Sequence, residues 1–216
     1  MRSLKKPYRR FLSNLDRSRR RGVEIESESS RLTAWRLRLL TEGLISDLWQ
    51  DWNNFARTVL FMSCQGCNTR NATKIRRRPC DNSFQRIGYE AKRASQDRVI
   101  VPGQVNRFRS QEPTWGDMGK VVKIILGLNP TNKNRLISAF GLSVNGPMHL
   151  QLVRNACAHK NKETMDAVRK ISIHYVSQPL QQPSELVWKL HKKNKTGALY
   201  SWISDLQVIA GIVTLS

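Results

Sequence analysis

Apolar residues recur at helical spacing along most of the chain, and almost nowhere do they alternate as a half-buried strand would require. The longest pattern runs from Arg31 to Met62. There Leu32, Trp35, Leu39, Leu44, Ile45, Leu48, Trp49, Trp52, Phe55, Val59 and Met62 fall three or four apart. Ser30 can cap its start, and Gly43 can divide it into two helices. Three tryptophans on one stripe read as core. Periodicity then lapses. Residues 64–83, CQGCNTRNATKIRRRPCDNS, are broken by Gly, Asn and Pro and read as a basic loop. A short helix is expected over Phe84–Ser95, followed by irregular chain from Arg98 to Gly116. So long a stretch with little regular structure suits an insertion that docks on the helices or contacts substrate.

Helical spacing resumes over Asp117–Leu128, through Met118, Val121, Val122, Ile124, Ile125 and Leu128. Asn129-Pro130 opens a further short helix that ends at Gly141. Asn145-Gly146-Pro147 starts another, since proline is tolerated at the first helical position. After it come a helical segment over Thr164–Val176, a Pro/Gln loop from Gln178 to Pro183, and a short helix over Ser184–His191. A basic turn at Lys192–Thr196 leads into a last amphipathic helix carrying Leu199, Trp202, Ile203, Leu206, Val208, Ile209 and Ile212. Strand-like stretches are too short and isolated to build a sheet, so the pattern predicts an all-α fold, a bundle of four to six helices. At 216 residues the chain suits one domain with appendages.

Charge adds a partner to this picture. Lys and Arg number 37 against 16 Asp and Glu, a net charge of +21. Such a bias speaks for a polyanion, and for RNA or DNA over a membrane surface, because the longest apolar runs fall short of the roughly 20 residues that a bilayer span needs. Residues 1–22 hold nine Lys or Arg and one Asp, with Tyr8, Phe11, Leu12 and Leu15 interleaved. They read as either a disordered basic arm or a short amphipathic helix that orders on a partner. Residues 23–30, VEIESESS, read as a linker or the start of the next helix. The expected organisation is thus an arm and linker over 1–30 and a helical domain over 31–216, with 64–116 as its basic, partly irregular insertion.

The four cysteines are too few and too unevenly spaced for a disulfide scaffold. Cys64-Gln-Gly-Cys67 is a single pair with no second pair to complete a zinc site. Reduced, non-ligating thiols in a cytoplasmic protein are expected, with no metal and no cofactor. A secretory leader is not expected either, the basic N-terminus having no apolar core segment behind it.

The candidate chemistry lies in the helix after Pro147. Among its apolar residues stand Arg154, Asn155 and His159. Asn155 and His159 are four apart and share a face, while Arg154 lies roughly 140° round from His159 and must swing its long stem toward the imidazole. A fixed cation, an amide and a ring that titrates near neutral pH are what cleavage of RNA by its own 2′-hydroxyl needs. Arg154-Asn155-Ala156-Cys157-Ala158-His159 resembles the signature of the HEPN superfamily: an Arg, a polar residue, a short gap and a His. The resemblance implies a small all-α bundle and a metal-independent endoribonuclease of toxin–antitoxin or antiviral defence systems. It also implies a homodimer through the motif helix that joins two motifs in one RNA-cutting cleft and leaves 2′,3′-cyclic phosphate ends. Catalytic roles then fall to Arg154, Asn155 and His159.

Around them Lys160, Lys162, Arg57, Arg70, Lys74, Arg76, Arg77 and Arg78 are candidate RNA contacts, with tRNA among the substrates to consider. Asp51, Asn54 and Arg57 are candidates for support of the cleft from a second helix, and His174 reads as structural. A partner is also expected, an antitoxin or a defence complex. The contrasting reading is a non-catalytic RNA- or DNA-binding or interaction subunit of a larger defence complex.

Overall fold

The computed structural model describes residues 2–176 and 179–215; Gln178, where the Pro/Gln loop was expected to begin, lies outside the described residues. The fold is all-α. Among the described residues there are eight α-helices: α1 (Lys5–Glu28), α2 (Ala34–Gln65), α3 (Phe84–Ala94), α4 (Met118–Leu128), α5 (Lys133–Phe140), α6 (Gly146–His159), α7 (Lys162–Ser172) and α8 (Ala198–Leu215). That exceeds the four to six expected. Two 3-10 turns, Arg109–Gln111 and Pro183–Trp188, and two antiparallel pairs of two-residue strands complete the regular structure. In the first pair β1 (Cys67–Asn68) lies against β2 (Lys74–Ile75); in the second β3 (Tyr175–Val176) lies against β4 (Leu190–His191).

The largest departure from expectation is at the N-terminus. Residues 5–28 are one helix, and Leu4, Phe11, Leu15, Ser18, Gly22 and Ile25 are all buried. These positions follow three- and four-residue steps, so a continuous stripe anchors the supposed arm and linker. Small residues serve where helices approach closely: a Cβ on Gly22 would meet Leu199 at 2.6 Å. α2 runs unbroken through Gly43, because its flanking turns bury Leu44, Ile45, Leu48 and Trp49, which outweighs the cost of about 1 kcal/mol for an interior glycine. It begins at Ala34, where Thr33 accepts the Arg36 amide in place of the expected Ser30 cap. The segment expected as a helix over Ser184–His191 is instead a 3-10 turn and the strand β4.

The chain divides into two compact units. The first comprises Met1–Phe11, Trp52–Ser143 and Val208–Ser216, the second Leu12–Asp51 and Val144–Gln207, so α1, α2 and α8 supply residues to both. The first unit holds 21 Lys and Arg against five Asp and Glu, a net +16; the second holds 16 against 11, a net +5. They are called the basic unit and the motif unit below.

In the basic unit, Trp52, Phe55 and Phe11 form a ring cluster, Phe11 stacking on Phe55 at 4.4 Å. Trp52 donates to Gly116 O at 3.0 Å, and a Cβ on Gly116 would meet that indole at 2.6 Å, so only glycine fits. The supposed irregular insertion belongs to this core. Ile87 of α3 and Trp115 are fully buried, and Arg86 donates to the carbonyls of Val101 and Gln104, pinning the loop. Arg78 is buried and paired with Glu90 at 2.6 Å, while Arg86 takes the other oxygen of Glu90. Arg78 also donates to Asn82 Oδ1, Leu128 O and Asp81 O.

In the motif unit, α6 is fastened through His149. Trp202 donates its indole N–H to the Tyr175 hydroxyl at 2.7 Å, and that hydroxyl shares a second hydrogen bond with His149 Nδ1, also at 2.7 Å. The other ring nitrogen, Nε2, is buried without a hydrogen-bond partner among the described residues. His174 stacks on His149 at 5.4 Å, and His191 meets the Tyr175 ring edge-on. Burial, helped by His174 and His191, pushes the His149 pKa down to about 4.

Both buried groups can be tested through stability. Arg78→Ala strands part of the Glu90 charge and three acceptors, and should cost about 3 kcal/mol, lowering Tm by roughly 6–12 °C. Arg76→Ala, at an exposed neighbour, should leave Tm within about 2 °C; equal shifts for the two would refute the buried-pair account. For His149 the folded pKa lies below the unfolded value. Stability is thus intact above about pH 6.5 and falls as pH drops toward about 4, by on the order of 3 kcal/mol. His149→Gln should flatten this part of the stability–pH curve in denaturant titrations, and an unchanged slope would count against it.

Candidate functional site

The motif helix α6 presents two contrasting faces. His149, Leu150, Val153, Ala156 and Cys157 are buried, whereas Arg154 and Asn155 are half-exposed and His159 is exposed. Packing of one face thus delivers the motif residues to the other, as a 3.6-residue period requires. Arg154 Nη1 donates to Asn155 Oδ1 at 3.2 Å. That bond draws the guanidinium round the helix toward the face that Asn155 shares with His159 by spacing. The structure thus brings Arg154 to Asn155 directly. No hydrogen bond joins His159 to either residue among the described ones.

The end of α6 is set by Lys160, whose φ of 48° and ψ of 39° are left-handed. This conformation costs a non-glycine residue about 1 kcal/mol and makes His159 the last helical residue, with its ring in solvent. Asn161 then caps α7 by accepting the Thr164 amide at 2.9 Å. A tight corner therefore follows the imidazole and carries both Lys160 and Lys162, exposed beside it.

Glu42, which sequence reasoning missed, approaches this corner from α2. Its Oε2 pairs with Lys160 at 3.4 Å, and its Oε1 is buried with no hydrogen-bond partner among the described residues. Burial and the Glu42 charge push the Cys157 thiol up to about 12, which leaves it no role as a nucleophile near neutral pH. The signal was available in the spacing. Glu42 precedes the buried Ile45 and Trp49 by three and seven residues, which puts a carboxylate on an apolar helix face. Trp35 and Leu39 occupy the same face one and two turns earlier and are 60% and 54% exposed. Two pockets of the motif unit, of about 420 and 500 Å³, are lined by other residues of α1, α2 and the 181–188 segment and do not include the triad.

The candidate RNA contacts divide. Arg78 is buried in its ion cluster and cannot reach a ligand. Arg57 is held by both oxygens of Glu112, at 2.6 and 2.7 Å, and its guanidinium lies 4.2 Å from the Phe61 ring centroid. The same carboxylate accepts from the Trp115 indole at 2.8 Å, so Arg57 is structural, and both assignments are corrected. Asn54 accepts from Arg109 at 2.9 Å, within the basic unit. Lys74, Arg76 and Arg77 are exposed, and Arg70 lies over the Tyr8 ring at 4.0 Å. The basic cluster of residues 70–77 thus belongs to the basic unit and the triad to the motif unit.

All four cysteines are free; burial pushes Cys64 up to about 12 and Cys67 up to about 11. Among the described residues no group of three or more His, Cys, Asp or Glu is placed to hold a metal ion. One helix, α8, is long and apolar enough to cross a membrane by length and composition, and half of it is buried within the protein. No family model, no curated protein and no solved structure matches this chain.

Proposed function

We propose that the chain is a metal-independent endoribonuclease of the HEPN type, acting in a toxin–antitoxin or antiviral defence setting. The observation that carries this reading is the triad on the solvent-facing side of a well-anchored helix, with Arg154 and Asn155 half-exposed and His159 exposed: a guanidinium steered by Asn155, with an imidazole on the same face one turn on. In the proposed reaction one His159 takes the proton of the 2′-hydroxyl, whose oxygen attacks the adjacent phosphorus. The bond from phosphorus to the 5′-oxygen breaks, and a second His159 returns a proton to that oxygen. The products are a 2′,3′-cyclic phosphate and a 5′-hydroxyl. Arg154 neutralises the charge that builds on the phosphate oxygens, and Asn155 holds Arg154.

A single imidazole cannot be base and acid in one step, so the reading calls for two chains. A motif on the solvent-facing side of its helix suits that arrangement, because a second copy would supply the other wall of a cleft. Trp35 and Leu39 offer an apolar patch on the helix face that carries Glu42, which supports a homodimer beside the motif. The contrasting reading, an RNA- or DNA-binding or interaction subunit without chemistry, draws support from one observation: the charge is concentrated outside the motif unit.

Purified protein incubated with total RNA should yield fragments with cyclic phosphate ends, with activity unaffected by EDTA. His159→Ala and Arg154→Ala should each lower the rate by roughly 10²–10⁴-fold while moving Tm by no more than about 2 °C. Intact RNA after prolonged incubation, or full activity in either folded variant, would favour the binding subunit instead. Trp35→Glu combined with Leu39→Glu should give a folded monomer in sedimentation and abolish cleavage; a dimer with unchanged cleavage would remove this face from the proposal.

A further inference from the structure

We propose that the basic unit holds RNA on a surface formed by the first turns of α1 and the β1–β2 hairpin. The inference extends the nuclease reading by naming where its substrate is gripped, and it is read out by binding alone.

Residues 1–15 and residues 66–80 carry no acidic residue. The fold places them side by side. Asn68 donates its amide to Arg2 O at 2.8 Å and accepts the Leu4 amide at 2.8 Å, making a parallel bridge between residue 3 and residue 68. Arg70, just beyond β1, then stacks over Tyr8 of α1. Arg2, Lys5, Lys6 and Arg9 line a pocket of about 500 Å³ whose floor includes Met62, and Lys74, Arg76 and Arg77 are exposed on the hairpin side.

None of these cations forms an ion pair among the described residues, and the acids of the unit are engaged elsewhere. Glu90 pairs with Arg78 and Arg86, Glu112 with Arg57, Asp97 with Lys123 and Asp117 with Lys120. Asp81, the fifth, accepts from the amide and hydroxyl of Ser83. The positive field of the surface is therefore available to a polyanion. Lys5 and Arg9 are four residues apart on one face of α1, about 6 Å along its axis, which suits a linear array of charges. A membrane surface fits less well, since none of the large exposed apolar side chains lies in residues 2–10 or 66–80 to enter a bilayer.

The test uses full-length protein carrying His159→Ala, so that cleavage does not interfere, and a fluorescein-labelled oligouridylate followed by anisotropy between about 50 and 200 mM salt. Adding Lys5→Gln, Lys6→Gln, Arg9→Gln and Lys74→Gln should weaken binding on the order of 100-fold at about 100 mM salt. The salt slope should flatten by roughly 3, about 0.7 for each phosphate of a single strand that is no longer neutralised. A control with equal charge removal in the motif unit, Lys170→Gln, Lys192→Gln, Lys193→Gln and Lys195→Gln, should change affinity by less than about threefold. Equal weakening by both sets would reduce the effect to net charge and overturn the proposal, as would unchanged binding in the first set at an unchanged Tm. Displacement of the RNA by polyglutamate at equal charge concentration would assign the surface to an acidic protein partner instead. Binding that behaves as expected while wild-type protein leaves RNA intact would uphold the surface and reject the nuclease.

Discussion

Carboxylates are the scarce component of this protein, and their placement decides what the rest of the charge can do. The basic unit folds 21 cations around five acids. Two of those acids sit inside: Glu90 between Arg78 and Arg86, and Glu112 against Arg57 and Trp115. Removing an ion from water costs several kcal/mol, so a guanidinium as buried as Arg78 is tolerable only with a carboxylate and further acceptors close by. The Arg78–Glu90 contact is an ion pair without the geometry of a directed hydrogen bond, and the carbonyls of Leu128 and Asp81 complete the guanidinium's shell. With Glu90 and Glu112 held by these inner cations, only Asp81, Asp97 and Asp117 remain for the other cations of the unit.

The motif unit solves a different problem, that of exposing polar chemistry on a helix whose other side must be buried. Its solution is a polar rivet. The Trp202–Tyr175–His149 chain satisfies three aromatic polar groups in series and locks α6 from beneath, so Arg154, Asn155 and His159 carry little of the packing. Asp205 strengthens the seat by accepting the Gly146 amide at 2.8 Å, at a glycine where a Cβ would clash with Asp205 and Trp202. Burial raises the Asp205 carboxyl pKa while that amide bond opposes it. The motif residues are therefore free to differ in chemistry without endangering the fold.

Much of this was legible from the chain alone, and the failures have physical causes. Helices α2, α4, α6 and α8 announced themselves through large apolar residues at three- and four-residue steps. α1 was obscured because its stripe passes through Ser18 and Gly22, small residues that pack closely yet give no apolar signal, while eight cations dominate its composition. The 64–116 segment was misjudged for the opposite reason. It is fastened by polar bonds, such as Arg86 to Val101 and Gln104, whose partners no periodicity reveals. Within one run of basic residues, Arg76 and Arg77 face solvent and Arg78 is buried, a distinction set by Glu90 twelve residues later. The candidate triad was readable from spacing, but the bond that turns Arg154 toward Asn155 depends on side-chain torsions.

The uneven division of charge also bears on how binding and proton transfer can coexist in one chain. Gripping a phosphate backbone asks for many cations close together, because each neutralised phosphate adds to the affinity through released counterions. The proposed proton transfer asks for the reverse, since a dense cationic surrounding disfavours the charged form of an imidazole. On the proposed reading, the unit of net +16 answers the first demand and the unit of net +5, which holds the motif, the second. Glu42 extends the logic locally: by pairing with Lys160, the residue immediately after His159, it tempers the cation nearest the ring in sequence and leaves Arg154, turned by Asn155, as the motif's fixed positive charge.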